Sequence, residues 1–180
     1  MTLIEKSRHL ARWLRHRPDS IGLRLDKQGW ANVAELLQKS NASGIPLTRL
    51  ELLEIVAHNE KQRYTLSTDG TLIRAAQGHS IPVDLKLTPK LPPAVLYHGT
   101  VAKFLPAIRK HGLLPGTRQH VHLSAERSTA VAVGSRRGAP IVLTINTHPV
   151  VQAQFKFMQS ENGVWLIDSV PARYIIFEPS

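Results

Sequence analysis

A proline-bearing, aperiodic stretch from Gly78 to Pro93 divides the chain and limits what it can become. Pro82, Pro89, Pro92 and Pro93 each lack the amide that a helix interior or a central strand requires. Each also biases the residue before it away from the helical region. A single continuous element crossing this stretch is therefore disfavoured, and the apolar residues on either side are expected to form separate cores. The sequence before the stretch is mainly helical in period, and the sequence after it is mainly short apolar runs. The expected organisation is an α+β chain with one lobe over 1–80, a linker over 81–94 and a second lobe over 95–180. With 180 residues, 42% of them hydrophobic, both lobes can bury a core.

Charge narrows the function classes. Lysine and arginine number 23 against 13 aspartates and glutamates, giving a net charge of +10. Up to residue 90 there are 14 basic and 9 acidic side chains, and beyond it 9 and 4, so each half carries +5. A basic tail on a neutral domain would not divide this way. Two lobes facing one polyanion would, and RNA or DNA is the obvious polyanion, although nucleotide cofactors share that chemistry. Cysteine is absent, which excludes disulfides and thiolate zinc sites. No apolar run approaches the roughly 20 residues of a membrane span, and the N-terminus lacks the basic-then-apolar order of a signal peptide. A cytoplasmic monomer with no membrane partner is the expectation.

In the first lobe, Leu3, Leu10 and Leu14 fall on one helical face with Ile4 beside them, and Arg8, Arg12 and Arg15 fall roughly opposite. Pro18 ends this helix and leaves Arg15 and His16 side by side at its exit. Arg8 and Arg12 read as a solvated face. Ile21 to Trp30 alternates like a short strand, Val33 to Lys39 reads as a helix capped by Asn32, and Thr48 to Glu51 is a capping box. That box opens a helix carrying Leu50, Leu53, Ile55 and Val56. Arg63 to Arg74 alternates about Asp69-Gly70, a hairpin signal. Helices followed by a hairpin make a winged-helix-like lobe, a plan frequent among nucleic-acid binders and also found in protein binders.

The second lobe reads as a mixed α/β unit. Val95 to His98 is a strand entering a turn at Gly99-Thr100, Phe104 to His111 is a helix ended by Gly112, and His120 to Leu123 is a strand. A helix near Ala125 to Val133 follows, then strands at Pro140–Asn146, Val164–Ile167 and Tyr174–Phe177. His98, Gly99 and Thr100 offer two hydrogen-bonding side chains beside a backbone that a ligand can approach closely. His120 and His122 share one strand face and lead to Ser124, but a metal would need ligands that the sequence does not obviously supply. No metal is expected. Gly134-Ser-Arg-Arg-Gly138 reads as a flexible basic loop suited to phosphate, with an exposed turn the equal alternative. Arg118 and Arg63 look like ordinary rim arginines by themselves. The acidic residues of this lobe are Glu126, Glu161, Asp168 and Glu178, with no carboxylate pair among them. Chemistry whose nucleophile is already anionic suits this inventory.

Taken together, Leu14-Arg-His-Arg-Pro18, Gln62-Arg-Tyr64, Ile73-Arg-Ala-Ala-Gln-Gly-His-Ser80, Tyr97-His-Gly-Thr100, Arg118-Gln-His-Val-His-Leu-Ser124 and Gly134-Ser-Arg-Arg-Gly138 resemble the motifs of the RNA 2′-phosphotransferases (KptA), in order and nearly end to end. The resemblance implies a winged-helix-like RNA lobe joined to an ADP-ribosyltransferase-like lobe that binds NAD. It also implies a two-step reaction. An internal RNA 2′-phosphate displaces nicotinamide to give an ADP-ribosylated RNA phosphate. The ribose 2″-hydroxyl then takes the phosphorus, leaving 2′-hydroxyl RNA and ADP-ribose 1″,2″-cyclic phosphate. The family's catalytic quartet falls on Arg15, His16, Arg63 and Arg118. Its NAD-side motif falls on His98, Gly99, Thr100, His122 and Ser124, with Gly134 and Arg136 in the adjoining loop. A phosphate dianion needs orientation more than a base, and planar guanidinium forks suit the charge that builds on phosphoryl oxygens. Related transferases that modify protein side chains carry a late carboxylate where this chain reads Asn162-Gly-Val-Trp165. Three other readings stay open: a transferase that stops at the ADP-ribosylated phosphate, a winged-helix regulator that binds NAD without cleaving it, and a metal-free ribonuclease using His98, His120 or His122. Gln77 and His79 belong to the shared motifs with no role assigned.

Overall fold

The computed structural model describes residues 1–58 and 61–177; Glu178 lies outside the described residues. The described chain is a mixed α+β protein with six α-helices and small antiparallel sheets. It divides into two units, Met1–Lys86 and Leu87–Ser180, each with its own apolar core.

In the first unit, helix α1 (Leu3–Arg15) starts at a capping box in which Thr2 and Glu5 satisfy each other's backbone amides. Its buried face is Lys6, Leu10, Trp13 and Leu14. Ile4, expected beside that face, is 69% exposed, because the stripe turns toward Lys6 to meet the next helices. Arg8 and Arg12 are exposed, as the periodicity requires. His16 caps the C-terminal end, and Pro18 opens a single 3₁₀ turn. Helix α2 (Val33–Ala42) is capped by the Asn32 side chain, and α3 (Arg49–Ala57) by the expected Thr48–Glu51 box. On α3 the buried positions are Leu52 and Ile55, whereas Leu50 and Leu53 are exposed.

The hairpin forms as expected. Strands β2 (Tyr64–Leu66) and β3 (Leu72–Ala75) pair antiparallel, and β1 (Ala31–Asn32) adds to the far edge of β3. At the turn the Asp69 carboxylate accepts hydrogen bonds from Ser67 Oγ and from the Thr71 amide and hydroxyl, which hold its pKa down at about 2. The strand expected over Ile21–Trp30 is absent. Gly22 adopts φ +65°, and Asp26 folds the next residues into a loop by accepting from the amides of Gln28 and Trp30. Leu23 is buried without any ladder partner, so the alternation reflects side-chain packing and not pairing.

The second unit holds two three-stranded antiparallel sheets. Strands β4 (Val95–Thr100), β6 (Ile141–Asn146) and β9 (Ile175–Ile176) form one, in the order β4-β6-β9. Strands β5 (Val121–Leu123), β7 (Met158–Gln159) and β8 (Trp165–Ile167) form the other, in the order β5-β8-β7. Tyr97 and Ser124 exchange backbone hydrogen bonds of 2.8 Å in both directions and join β4 to the chain after β5. Helix α4 (Leu105–His111) ends at Gly112, whose φ of +76° and closeness to the Val170 carbonyl admit no side chain. Helices α5 (Arg127–Gly134) and α6 (Thr147–Gln152) follow β5 and β6. Leu96, Leu123, Leu143, Ile145, Phe157 and Leu166 fill the interior.

Three local expectations are corrected in this unit. Gly99 and Thr100 do not form a turn; they lie within β4, paired with Val142 and Ile141. His120 precedes β5 instead of lying in it. Gly134 is the buried last residue of α5, so the basic loop begins at Ser135. The α6 helix and the short β7 strand carried no sequence signal that separated them from loop.

Candidate functional site

In the first unit the candidate residues hang on a frame of tertiary hydrogen bonds. The Tyr64 hydroxyl donates to the Ser7 carbonyl at 2.7 Å, which fixes the start of the hairpin against α1. Arg63, the residue before it, accepts at its carbonyl from the Ala76 amide at 2.9 Å. Lys6 and Glu51 form a 2.6 Å ion pair between α1 and α3, and Lys6 is buried. At the other end of α1, the Ser80 amide donates to the Arg15 carbonyl at 2.9 Å, and Ser80 Oγ lies 2.9 Å from His16 Nδ1.

Electrostatics shows that these side chains cluster. Burial pushes the Tyr64 hydroxyl pKa up, while the nearby charges of both Arg15 and Arg63 pull it down. His79 is 2% exposed, and burial lowers its pKa to about 4 with help from Arg15, His16 and Arg74. It is therefore neutral at pH 7. Its Nε2 is buried with no hydrogen-bond partner among the described residues. The charges of Arg15 and Arg63 thus both reach Tyr64, and those of Arg15, His16 and Arg74 reach His79. His79 is buried, whereas Gln77 is only half-buried.

In the second unit a further cationic group forms around β4 and β5. His98 Nδ1 lies 2.9 Å from the His122 carbonyl, an acceptor, so Nδ1 carries the proton. Burial, followed by the charges of Arg137 and Arg118, lowers the His98 pKa and favours the neutral ring. Arg118 Nη1 lies 2.9 Å from His122 Nδ1. Arginine can only donate, so His122 accepts at Nδ1 and carries its proton on Nε2. Partial desolvation and then the charges of Arg137 and Arg136 lower the Arg118 pKa, which places all three guanidiniums near one another. His120 turns instead toward Asp168, 3.8 Å away. The two histidines of the His-x-His pair therefore have different partners. Among the described residues no group of three histidines and acidic side chains could hold a metal ion.

Gly99 has a reason beyond ligand approach. A Cβ built there would stand 1.8 Å from the Ala130 carbonyl oxygen, so α5 lies directly on this point of the strand. Gly134 is squeezed similarly between the Thr100 carbonyl and Pro140. Thr100 is 5% exposed. His98 and Ser124 are half-buried, and Arg136 is exposed beyond the helix end. Two residues of the site went unassigned from the sequence: Arg137, whose charge reaches both His98 and Arg118, and Ser80, which holds His16. The paired arginines of the loop were the available signal for the first. For the second the only signal was its place in a shared motif.

Comparison with known proteins bears on this arrangement. The RNA 2′-phosphotransferase, Tpt1 / KptA family matches residues 2–169. The chain belongs to that family. A probable RNA 2′-phosphotransferase of Burkholderia pseudomallei is 56% identical over 171 residues, covering 95% of this chain and 93% of its own. Proteins of the same description from Agrobacterium fabrum and Streptomyces griseus are 53% and 47% identical, over 94% and 96% of this chain and 91% and 95% of theirs. Both cationic groups lie inside the family match. Among the described residues no helix is long and apolar enough to cross a membrane.

Proposed function

We propose that the protein removes an internal 2′-phosphate from RNA by transferring it to NAD. The observation that carries this reading is the family match over residues 2–169, which encloses Arg15, His16, Arg63 and Arg118 together with the His98–His122 group. Two features support a winged-helix-like character for the first unit: three helices run into the β2–β3 hairpin, and β1 flanks it in the order β1-β3-β2. Two small antiparallel sheets, one of them covered by α5 at β4, are consistent with an ADP-ribosyltransferase-like second unit.

The donor set suits NAD. With its proton held on Nδ1, neutral His98 offers an acceptor suited to a ribose hydroxyl, and Arg136 and Arg137 suit a pyrophosphate. Gly99, Thr100 and Gly134 shape the wall by letting α5 sit on β4, and His122 and Ser124 line β5 and its end. NAD supplies an electrophilic ribose carbon with a cationic leaving group, so that capture by the RNA phosphate gives an ADP-ribosylated phosphate and then ADP-ribose 1″,2″-cyclic phosphate. In the first unit Arg15 and Arg63 suit phosphate oxygens, and in the second Arg118 supplies a guanidinium beside His122; such planar forks stabilise charge that grows on phosphoryl oxygens. His16 moves the proton that passes from the ribose 2″-hydroxyl to the departing RNA 2′-oxygen.

The test is a short RNA with one internal labelled 2′-phosphate, incubated with NAD and no added metal. The expected result is a small labelled product, released nicotinamide and RNA with a 2′-hydroxyl. Label retained on an RNA that has gained ADP-ribose would replace this reading with a transferase that stops halfway. NAD bound without cleavage would point to a regulator, and RNA cleavage without NAD to a ribonuclease.

A further inference from the structure

The three site histidines are held in three chemically different ways. His98 donates from Nδ1 to a carbonyl, and burial beside Arg118 and Arg137 opposes a second proton on its ring. His122 accepts at Nδ1 from an arginine, so a proton there would break the 2.9 Å contact and set two cations against each other. His16 faces a hydroxyl, 2.9 Å from Nδ1. A serine hydroxyl can donate to a bare nitrogen or accept from a protonated one by rotating about its Cβ–Oγ bond. This anchor alone survives a change of protonation at the ring it holds.

We propose that Ser80 is the positioning residue of His16, keeping the imidazole in one orientation while it gives and takes a proton. The inference rests on the proposed function for its meaning, but the geometry that carries it does not. Ser80 grips the end of α1 twice: its amide holds the Arg15 carbonyl and its hydroxyl holds the neighbouring His16 ring. The first bond fixes where the helix stops and the second fixes how the next side chain turns. A substitution at Ser80 keeps the backbone bond and removes only the second grip. The Ser80 residue is exposed, so the change leaves the core untouched.

The neighbours of His16 are cationic or buried. Arg15 flanks it, and Arg17 is engaged with Asp19 at 3.3 Å. The charge of His16 reaches His79, which is buried and neutral, with Nε2 lacking a partner among the described residues. A carboxylate in the place of Ser80 would hold only an Nδ1–H, and an arginine only a bare nitrogen.

The experiment compares full-length wild type with Ser80→Ala and Ser80→Thr. Each is assayed for nicotinamide release and 2′-phosphate transfer, with thermal melting as a control on folding. The imidazole ¹⁵N shifts of His16 are recorded without substrate. Ser80→Ala is expected to lower kcat about tenfold or more while both KM values stay within about threefold, because orientation of a proton-transfer group is lost and binding is not. Ser80→Thr, which keeps the hydroxyl, is expected to restore most of the rate. In Ser80→Ala the His16 ¹⁵N shifts should move toward those of an unanchored imidazole. Wild-type kcat in Ser80→Ala, or a Ser80→Thr variant as slow as the alanine, would overturn the proposal. If wild type transfers no phosphate at all, the functional reading fails, and unchanged ¹⁵N shifts in Ser80→Ala would separately overturn the anchor.

Discussion

Arg118 points one arm of its guanidinium at His122 Nδ1, and that contact limits what can replace it. Lysine keeps the charge but is a point donor on a flexible stem, so it cannot hold His122 and face a phosphate in the same plane. Arg118→Lys is therefore expected to lower kcat/KM for 2′-phosphate transfer by about 10²-fold, the loss of roughly 3 kcal/mol of transition-state stabilisation. Retained activity in the lysine variant would show that charge alone suffices. His79 supplies a second prediction at this scale. Its folded pKa of about 4 lies below the usual value of 6.5, so the unfolded chain binds its proton first as pH falls. The contribution is intact above pH 6.5 and is lost between there and pH 4, amounting to about 3 kcal/mol. Urea midpoints at pH 7 and pH 4.5 should separate clearly in wild type and much less in His79→Gln. The chemistry of these residues was legible in the sequence as motif membership. Their partners were not, because the Ser80–His16 contact joins positions 64 residues apart and no local pattern encodes it.

At the scale of elements, helix caps and the hairpin were readable because their signals are local. Thr48 with Glu51, Asn32, and Asp69-Gly70 all act within a few residues. Ile21–Trp30 misled because alternation is only half of what a strand needs. The other half is a partner edge, and β3 meets the chain only at Ala31–Asn32. Gly99 also required the tertiary structure, since its constraint comes from α5 crossing β4. Gly99→Ala would put a methyl 1.8 Å from a backbone oxygen that cannot swing aside. It is expected to cost about 4 kcal/mol or more and to lower the melting temperature by about 20 °C or prevent folding. Gly116 also has positive φ, at +64°, but faces open space, so Gly116→Ala should cost about 1 kcal/mol and only a few degrees. Similar melting of the two variants would mean that α5 can shift away from the strand at little cost.

For the whole molecule the deciding quantity is charge, since +10 on 180 residues is divided equally between the two halves of the chain. If RNA binding draws on phosphate contacts from Arg15, Arg63 and Arg118, three neutralised phosphates give a slope of about −2 in log affinity against log salt for single-stranded RNA. Raising salt from 50 to 200 mM should then weaken binding roughly 16-fold. Position within the charge distribution matters as well. Arg8 is exposed on α1, seven residues before Arg15, which is about 10 Å along the helix and about one Debye length at 0.1 M salt. Arg8→Gln is expected to leave the slope unchanged, whereas Arg63→Gln should reduce its magnitude by about 0.7. Titrating a fluorescent RNA carrying one internal 2′-phosphate across this salt range measures both. Equal reductions from the two substitutions would mean that the RNA reads the diffuse positive surface of the first unit and not the clustered arginines at the end of α1. In that case the even division of charge would explain binding, and the arginine cluster would act only in the chemical step.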